Sequence, residues 1–173
     1  MTTRDNQRQR LYDAENMVRD VLDSLAQADV PTFDFYGSSL LVPLERKFGD
    51  LESIQRYIDA VLALNWVRDT WPERTVLPVR VRKRKGKVHA HYEPLTRTLA
   101  VPDHTNSRGW AMREIVILHE LAHHLDMSAE HHGPVFASTF LHLVREVMGP
   151  EVGLLLTDSF TRHGVAFGVL ATV

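Results

Sequence analysis

With 173 residues, 44% of them hydrophobic, the chain is long enough to bury a real core and reads as one globular domain over 1–173. A net charge of −2 gives no global attraction to nucleic acid or to an anionic membrane, and the absence of cysteine excludes disulfide scaffolds and thiolate metal sites. That absence suits a reducing cytosol, so a cytoplasmic protein is expected. The polar first ten residues lack the hydrophobic core of a secretory signal, and the longest apolar runs, such as 164–173, fall far short of a membrane span.

Leu11, Ala14, Val18, Val21, Leu22 and Leu25 recur at intervals of three and four and predict an amphipathic first helix, ended by residues 29–32. Residues 32–43, with Phe33, Phe35, Tyr36 and Gly37, read as an aromatic loop. A second helix is predicted over about 51–67, with Ile54, Ile58, Val61 and Leu62 inward and Pro72 stopping the segment. The aromatic residues of both stretches, Trp66 and Trp71 included, read as core packing.

Strands come next. Val79 and Val81 alternate with Arg80 and Arg82, and Val88, Ala90 and Tyr92 alternate with His89 and His91, with residues 84–87 as a hairpin turn between them. Residues 98–102 predict a third strand after a turn at Pro94. Residues 99–101 are expected at the sheet edge, where Pro102 is tolerated and an extended peptide could pair. Arg80, Arg82, Lys83, Arg84, Lys85 and Lys87 crowd one hairpin. They read as a solvated tip that discourages edge-to-edge association, in preference to a phosphate contact. Farther on, Phe136, Phe140, Leu143, Val144 and Val147 form one helical stripe. Pro150 opens a last helix with Val152, Leu155, Leu156, Ser159 and Phe160 facing in.

The chemistry lies between the strands and those helices. Residues 119–123 read His-Glu-Leu-Ala-His, and nine positions after His123 stands His132, followed by Gly133, Pro134, Val135 and Phe136. The stretch 110–126 contains no proline. Ile117, Leu118, Leu121, Ala122 and Leu125 give it a broad apolar face, and Thr105, Asn106 or Ser107 is available as a cap. On that helix His119 and His123 lie one turn apart on one face, so both imidazoles can grip one ion. Glu120 is then placed to act as general base on a metal-bound water. The bland alternative is a core helix with two satisfied histidines, but a buried glutamate between them is costly without a partner or a metal.

A third ligand would leave the fourth position open for water, as in catalytic zinc sites. His132 is the first candidate. Gly133 frees the backbone to turn there, and Pro134 suits the first position of a helix. His131, Asp126 and Glu146 are the other candidates, with Asp126 read chiefly as a partner that orients an imidazole. His124, four residues after Glu120, reads as a partly exposed helix residue able to touch Glu120 or the substrate. Tyr92, His91 and His163 are candidates for a second donor to the reacting oxygen.

These motifs resemble the SprT-like (Spartan-type) zinc metallopeptidases, in which a His-Glu-x-x-His helix precedes a His-Gly-Pro-x-Phe segment. The likeness is sharp over 110–136 and extends to small actinobacterial and phage metallohydrolases with a His-Glu-x-x-His-His core. It implies Zn²⁺ held by His119, His123 and His132, with Glu120 as the catalytic glutamate. It also implies an α+β, zincin-like fold: a small antiparallel sheet of about three strands, the active-site helix and flanking helices. The implied activity is that of a peptidase cleaving a peptide or protein substrate. The interval from His123 to His132 is shorter than is usual in that family, and no cysteines are present for a zinc ribbon. A metzincin would need Gly and His where Asp126 and Ala129 stand. The chain is also similar to the ImmA/IrrE-like metallopeptidases, which implies the alternative of a regulatory protease or metal-binding protein with little general turnover.

Overall fold

The structure, a computed structural model, describes residues 5–85, 89–102, 111–128 and 130–168. In chain order it contains α1 (Arg8–Leu25), β1 (Thr32–Phe35), β2 (Ser38–Leu41), α2 (Leu51–Leu62), α3 (Asn65–Thr70) and α4 (Pro72–Thr75). There follow β3 (Arg80–Arg84), β4 (His91–Glu93), β5 (Thr98–Pro102), α5 (Glu114–Leu125), α6 (Pro134–Leu143) and α7 (Pro150–Arg162). A π-helical turn, Val144–Met148, continues α6. The chain is thus of the α+β class. None of its described helices is long and apolar enough to cross a membrane. Among the described residues, those up to Glu45 together with those from Ser128 onward make one compact unit, and those from Arg46 to Met127 make another.

In the first unit α1 packs on α7, and α6 with its π turn packs on α7 as well. The α1 stripe is buried as its spacing requires, at Leu11, Ala14, Val18, Leu22 and Leu25, with Val21 only half-buried. Phe136, Phe140, Phe160 and Phe167 follow one another ring to ring through this core. Of the expected stripe, Phe136, Phe140, Leu143 and Val144 are buried, but Met148 takes the inward place expected of Val147. The π turn is the cause: its wider winding carries the inward position one residue further along. Gly149 closes the turn at φ 119°, a conformation that a side chain would strain, and Pro150 begins α7 immediately after it.

Residues 32–43 are not a loop. β1 and β2 form an antiparallel hairpin in which Phe35 faces Ser38 across a two-residue turn. Tyr36 and Gly37 both have positive φ, as the tight turn matched to strand twist demands. The signal was masked because tyrosine is an unusual occupant of such a turn.

In the second unit the predicted helix over 51–67 is divided. Asp50 and Ser53 form a reciprocal capping box that starts α2, which ends at Leu62, and Leu64 is extended before α3. The stripe through Ile58 and Leu62 would next place Asn65 and Asp69 inward. The break allows Val67 and Trp71 to be buried in their stead. α3 ends at Thr70, just before Pro72, which also occupies the first position of α4.

The three-stranded sheet has the order β3-β5-β4. The expected β3–β4 hairpin and the all-antiparallel sheet are therefore corrected: β3 runs parallel to β5, and only β4 is antiparallel to it. Of the supposed turn, residues 86 and 87, with Val88 after them, lie outside the described residues. The placement of 99–101 at the edge is corrected too. All five residues of β5 are buried, whereas β3 exposes Arg80, Arg82 and Lys83. A strand apolar on both faces belongs in the middle, and a strand carrying cations belongs outside.

Candidate metal centre

The helix α5 is buried along nearly its whole length and packs against α2, α4 and β4. Its first residue is anchored. The Glu114 carboxylate accepts the Arg46 backbone N–H at 3.0 Å, an Arg46 guanidinium N–H at 2.5 Å and the Tyr57 hydroxyl at 2.7 Å. A carboxylate in the first turn also complements the helix dipole. The helix begins at Glu114, with extended Arg113 preceding it. Of the caps considered from the sequence, Thr105, Asn106 and Ser107 lie outside the described residues.

From this anchored helix His119 and His123 project side by side, ring centroids 5.2 Å apart and planes at 72°. His119 is buried and His123 half-buried. Pro134 opens α6 at its first position, as expected, and His132 stands just before it. Each of His119, His123 and His132 offers one ring nitrogen, and these three atoms all lie within 4.8 Å of one another. Gly133 serves a different purpose from the one expected. Its φ of −70° is ordinary, but a Cβ there would stand 2.6 Å from the Cβ of Glu130. The need is for space, not for backbone freedom.

The ring of His132 is held from three sides. Tyr12 on α1 lies 5.4 Å away and Phe136 on α6 lies 5.0 Å away, centroid to centroid. Its Nδ1 is 2.6 Å from Oδ2 of Asp5. A carboxylate can only accept, so Nδ1 carries the proton of this contact and, in the neutral ring, the lone pair lies on Nε2. Sequence reasoning did not find Asp5, because nothing local connects positions 127 residues apart.

Glu120 is buried, at 6% exposed, and its Oε2 accepts the backbone N–H of Tyr92 on β4 at 2.8 Å. The reading of His124 as partly exposed is corrected: it is 0% exposed. Its Nδ1 lies 2.8 Å from the Tyr92 hydroxyl and its Nε2 lies 2.9 Å from the Arg74 carbonyl. Arg74 replies by donating Nε–H to the His124 carbonyl at 2.6 Å. Burial pushes the His124 pKa down to about 4. The neutral ring donates at one nitrogen and accepts at the other, as these contacts require. Burial raises the Tyr92 pKa in turn. The result is a polar knot that ties α4, β4 and α5 together.

The remaining candidates stand elsewhere. Among the described residues the ligand group comprises the three histidines and not Asp126, His131 or Glu146. Asp126 is the half-buried, extended residue that ends α5. His131 is exposed in the turn before His132. Glu146 is exposed on the π turn and pairs with Arg145 at 2.9 Å. His91 is exposed on β4, and His163, at the end of α7, bonds the Ser159 carbonyl at 2.8 Å. On the basic strand, Arg82 pairs with Glu93, and Arg84 donates to the His89 carbonyl.

Three imidazole donors, one with its outer nitrogen held by a carboxylate, fit a divalent transition ion. Calcium and magnesium prefer oxygen donors. Three protein donors also leave one position of a tetrahedral ion open. No family model, curated protein or solved structure matches the chain.

Proposed function

We propose that this chain is a zinc-dependent hydrolase of zincin-like architecture, a cytoplasmic peptidase acting on a peptide or protein substrate. The observation that carries the reading is the convergence of His119, His123 and His132, with Glu120 adjacent to the first of them on the same buried helix. A zinc ion in that ligand set supplies Lewis acidity, which acidifies a water and polarises a carbonyl.

The chain's own residues supply the rest. Glu120 takes the proton of the attacking water and returns it to the leaving amine, the two halves of general base and acid catalysis. The Tyr92 N–H holds Oε2 of the Glu120 carboxylate and so orients it for this proton transfer. Burial around His119, Glu120 and His132 keeps bulk water from weakening these interactions.

The test is metal analysis of the purified full chain, with peptide hydrolysis followed in the wild type and in Glu120→Gln. The expected outcome is about one zinc per chain in both and hydrolysis in the wild type alone. Zinc uptake with no hydrolysis of any peptide tried would favour the regulatory, low-turnover alternative. Normal turnover by Glu120→Gln overturns the assigned base.

A further inference from the structure

The residue that steadies the third ligand comes from the segment preceding α1. Asp5 places Oδ2 2.6 Å from Nδ1 of His132, while its buried Oδ1 has no hydrogen-bond partner among the described residues. A carboxylate that leaves one oxygen unsatisfied in order to hold an imidazole is compensated best by positive charge beyond that ring. The segment itself is clamped. The Gln7 amide donates to the Ala166 carbonyl at 3.1 Å and accepts the Ala166 N–H at 2.8 Å, and Arg10 donates to the Gly164 carbonyl at 3.0 Å. Gln7 is buried, so this two-way clasp is shielded from water.

We infer that Asp5 is a positioning residue of the metal centre, and that the clamp of Gln7 on Ala166 makes docking of this segment part of metal binding. The inference rests on the metal-centre reading above and extends it to a residue outside both motifs. The carboxylate accepts from Nδ1–H and so holds the His132 ring in one orientation and one tautomer. A metal held by the three histidines would strengthen Nδ1–H as a donor to Asp5. Coupling of this kind is reciprocal: whatever loosens residues 5–7 weakens metal binding, and metal removal loosens residues 5–7.

The experiment measures zinc affinity of the full chain by competition with a chromophoric chelator and records the absorption spectrum of the cobalt(II)-loaded protein. Asp5→Ala is expected to bind zinc about 10- to 100-fold more weakly, with an altered cobalt spectrum. Asp5→Asn, which keeps the volume and one acceptor oxygen, should fall between it and the wild type, and it is the variant to read if Asp5→Ala does not fold. Gln7→Ala, which touches no ligand, should weaken binding measurably. Gln9→Ala, on the exposed side of the same helix, should not. Wild-type affinity and spectrum in Asp5→Ala, or an equal loss in Gln9→Ala, overturns the inference while leaving the metal centre standing. A wild-type chain that takes up no zinc overturns the metal centre itself.

Discussion

The backbone N–H of Tyr92 donates to the carboxylate of Glu120 at 2.8 Å, so a strand amide aims the candidate base. Tyr92 faces Leu99 on β5, and its N–H turns away from that partner toward α5. In an antiparallel pair such an outward amide is otherwise an unpaired edge donor. Here it fixes the rotamer of the glutamate, and burial at 6% exposed leaves that side chain little room to move. Glu120→Asp withdraws the carboxylate by one methylene from both the amide and the reacting water. A displacement near 1 Å costs about 10²-fold in rate when alignment is the contribution. The expected outcome is zinc content equal to wild type and hydrolysis reduced by at least that factor, read from steady-state kinetics beside metal analysis. Wild-type turnover would mean that the amide contact has no part in placing the base.

The Tyr92 hydroxyl is committed elsewhere, to Nδ1 of His124 at 2.8 Å. Tyr92→Phe therefore removes a donor from a fully buried acceptor and should cost about 1–3 kcal/mol in denaturant unfolding. Turnover per folded molecule should stay within a few-fold of wild type, because the backbone N–H is untouched. A loss of about 10²–10³ in kcat with stability unchanged would instead make the hydroxyl a transition-state donor to the reacting oxygen.

What could be read from the sequence tracks the range over which each feature is specified. His119, Glu120 and His123 are set by helical spacing alone, and the Pro134 that starts α6 marks where His132 must stand. The apolar stripes of α1 and α7 were equally plain, since periodicity is local. The strand order was not, because it depends on which strand is apolar on both faces; residues 99–101, the middle of β5, read as an edge although β5 is wholly buried. Tyr92 stands out in the sequence for its hydroxyl, yet the group that meets Glu120 is its amide, which every non-proline residue possesses. Asp5 carries no local mark at all. Its role exists only once α1 and α6 bring positions 5 and 132 together, and a lone aspartate before a helix otherwise reads as a solvated residue.

Gly133 gives the last prediction, because its necessity is spatial. A Cβ built there stands 2.6 Å from the Cβ of Glu130 and 2.3 Å from its Oε2. The carboxylate can swing aside; the Cβ cannot move without the backbone of the turn. Gly133→Ala must therefore displace the segment that carries His132, one residue away, at a cost of about 1–3 kcal/mol from overpacking. Zinc affinity should fall with it, since the ring is held in place by Tyr12, Phe136 and Asp5. Rescue separates this cause from others. Glu130→Ala keeps the offending Cβ and should not restore Gly133→Ala, whereas Glu130→Gly removes it and should restore both thermal stability and zinc affinity. Equal rescue by the two would point to the carboxylate as the obstacle, and no loss in Gly133→Ala would mean that the turn has slack which the close approach does not suggest.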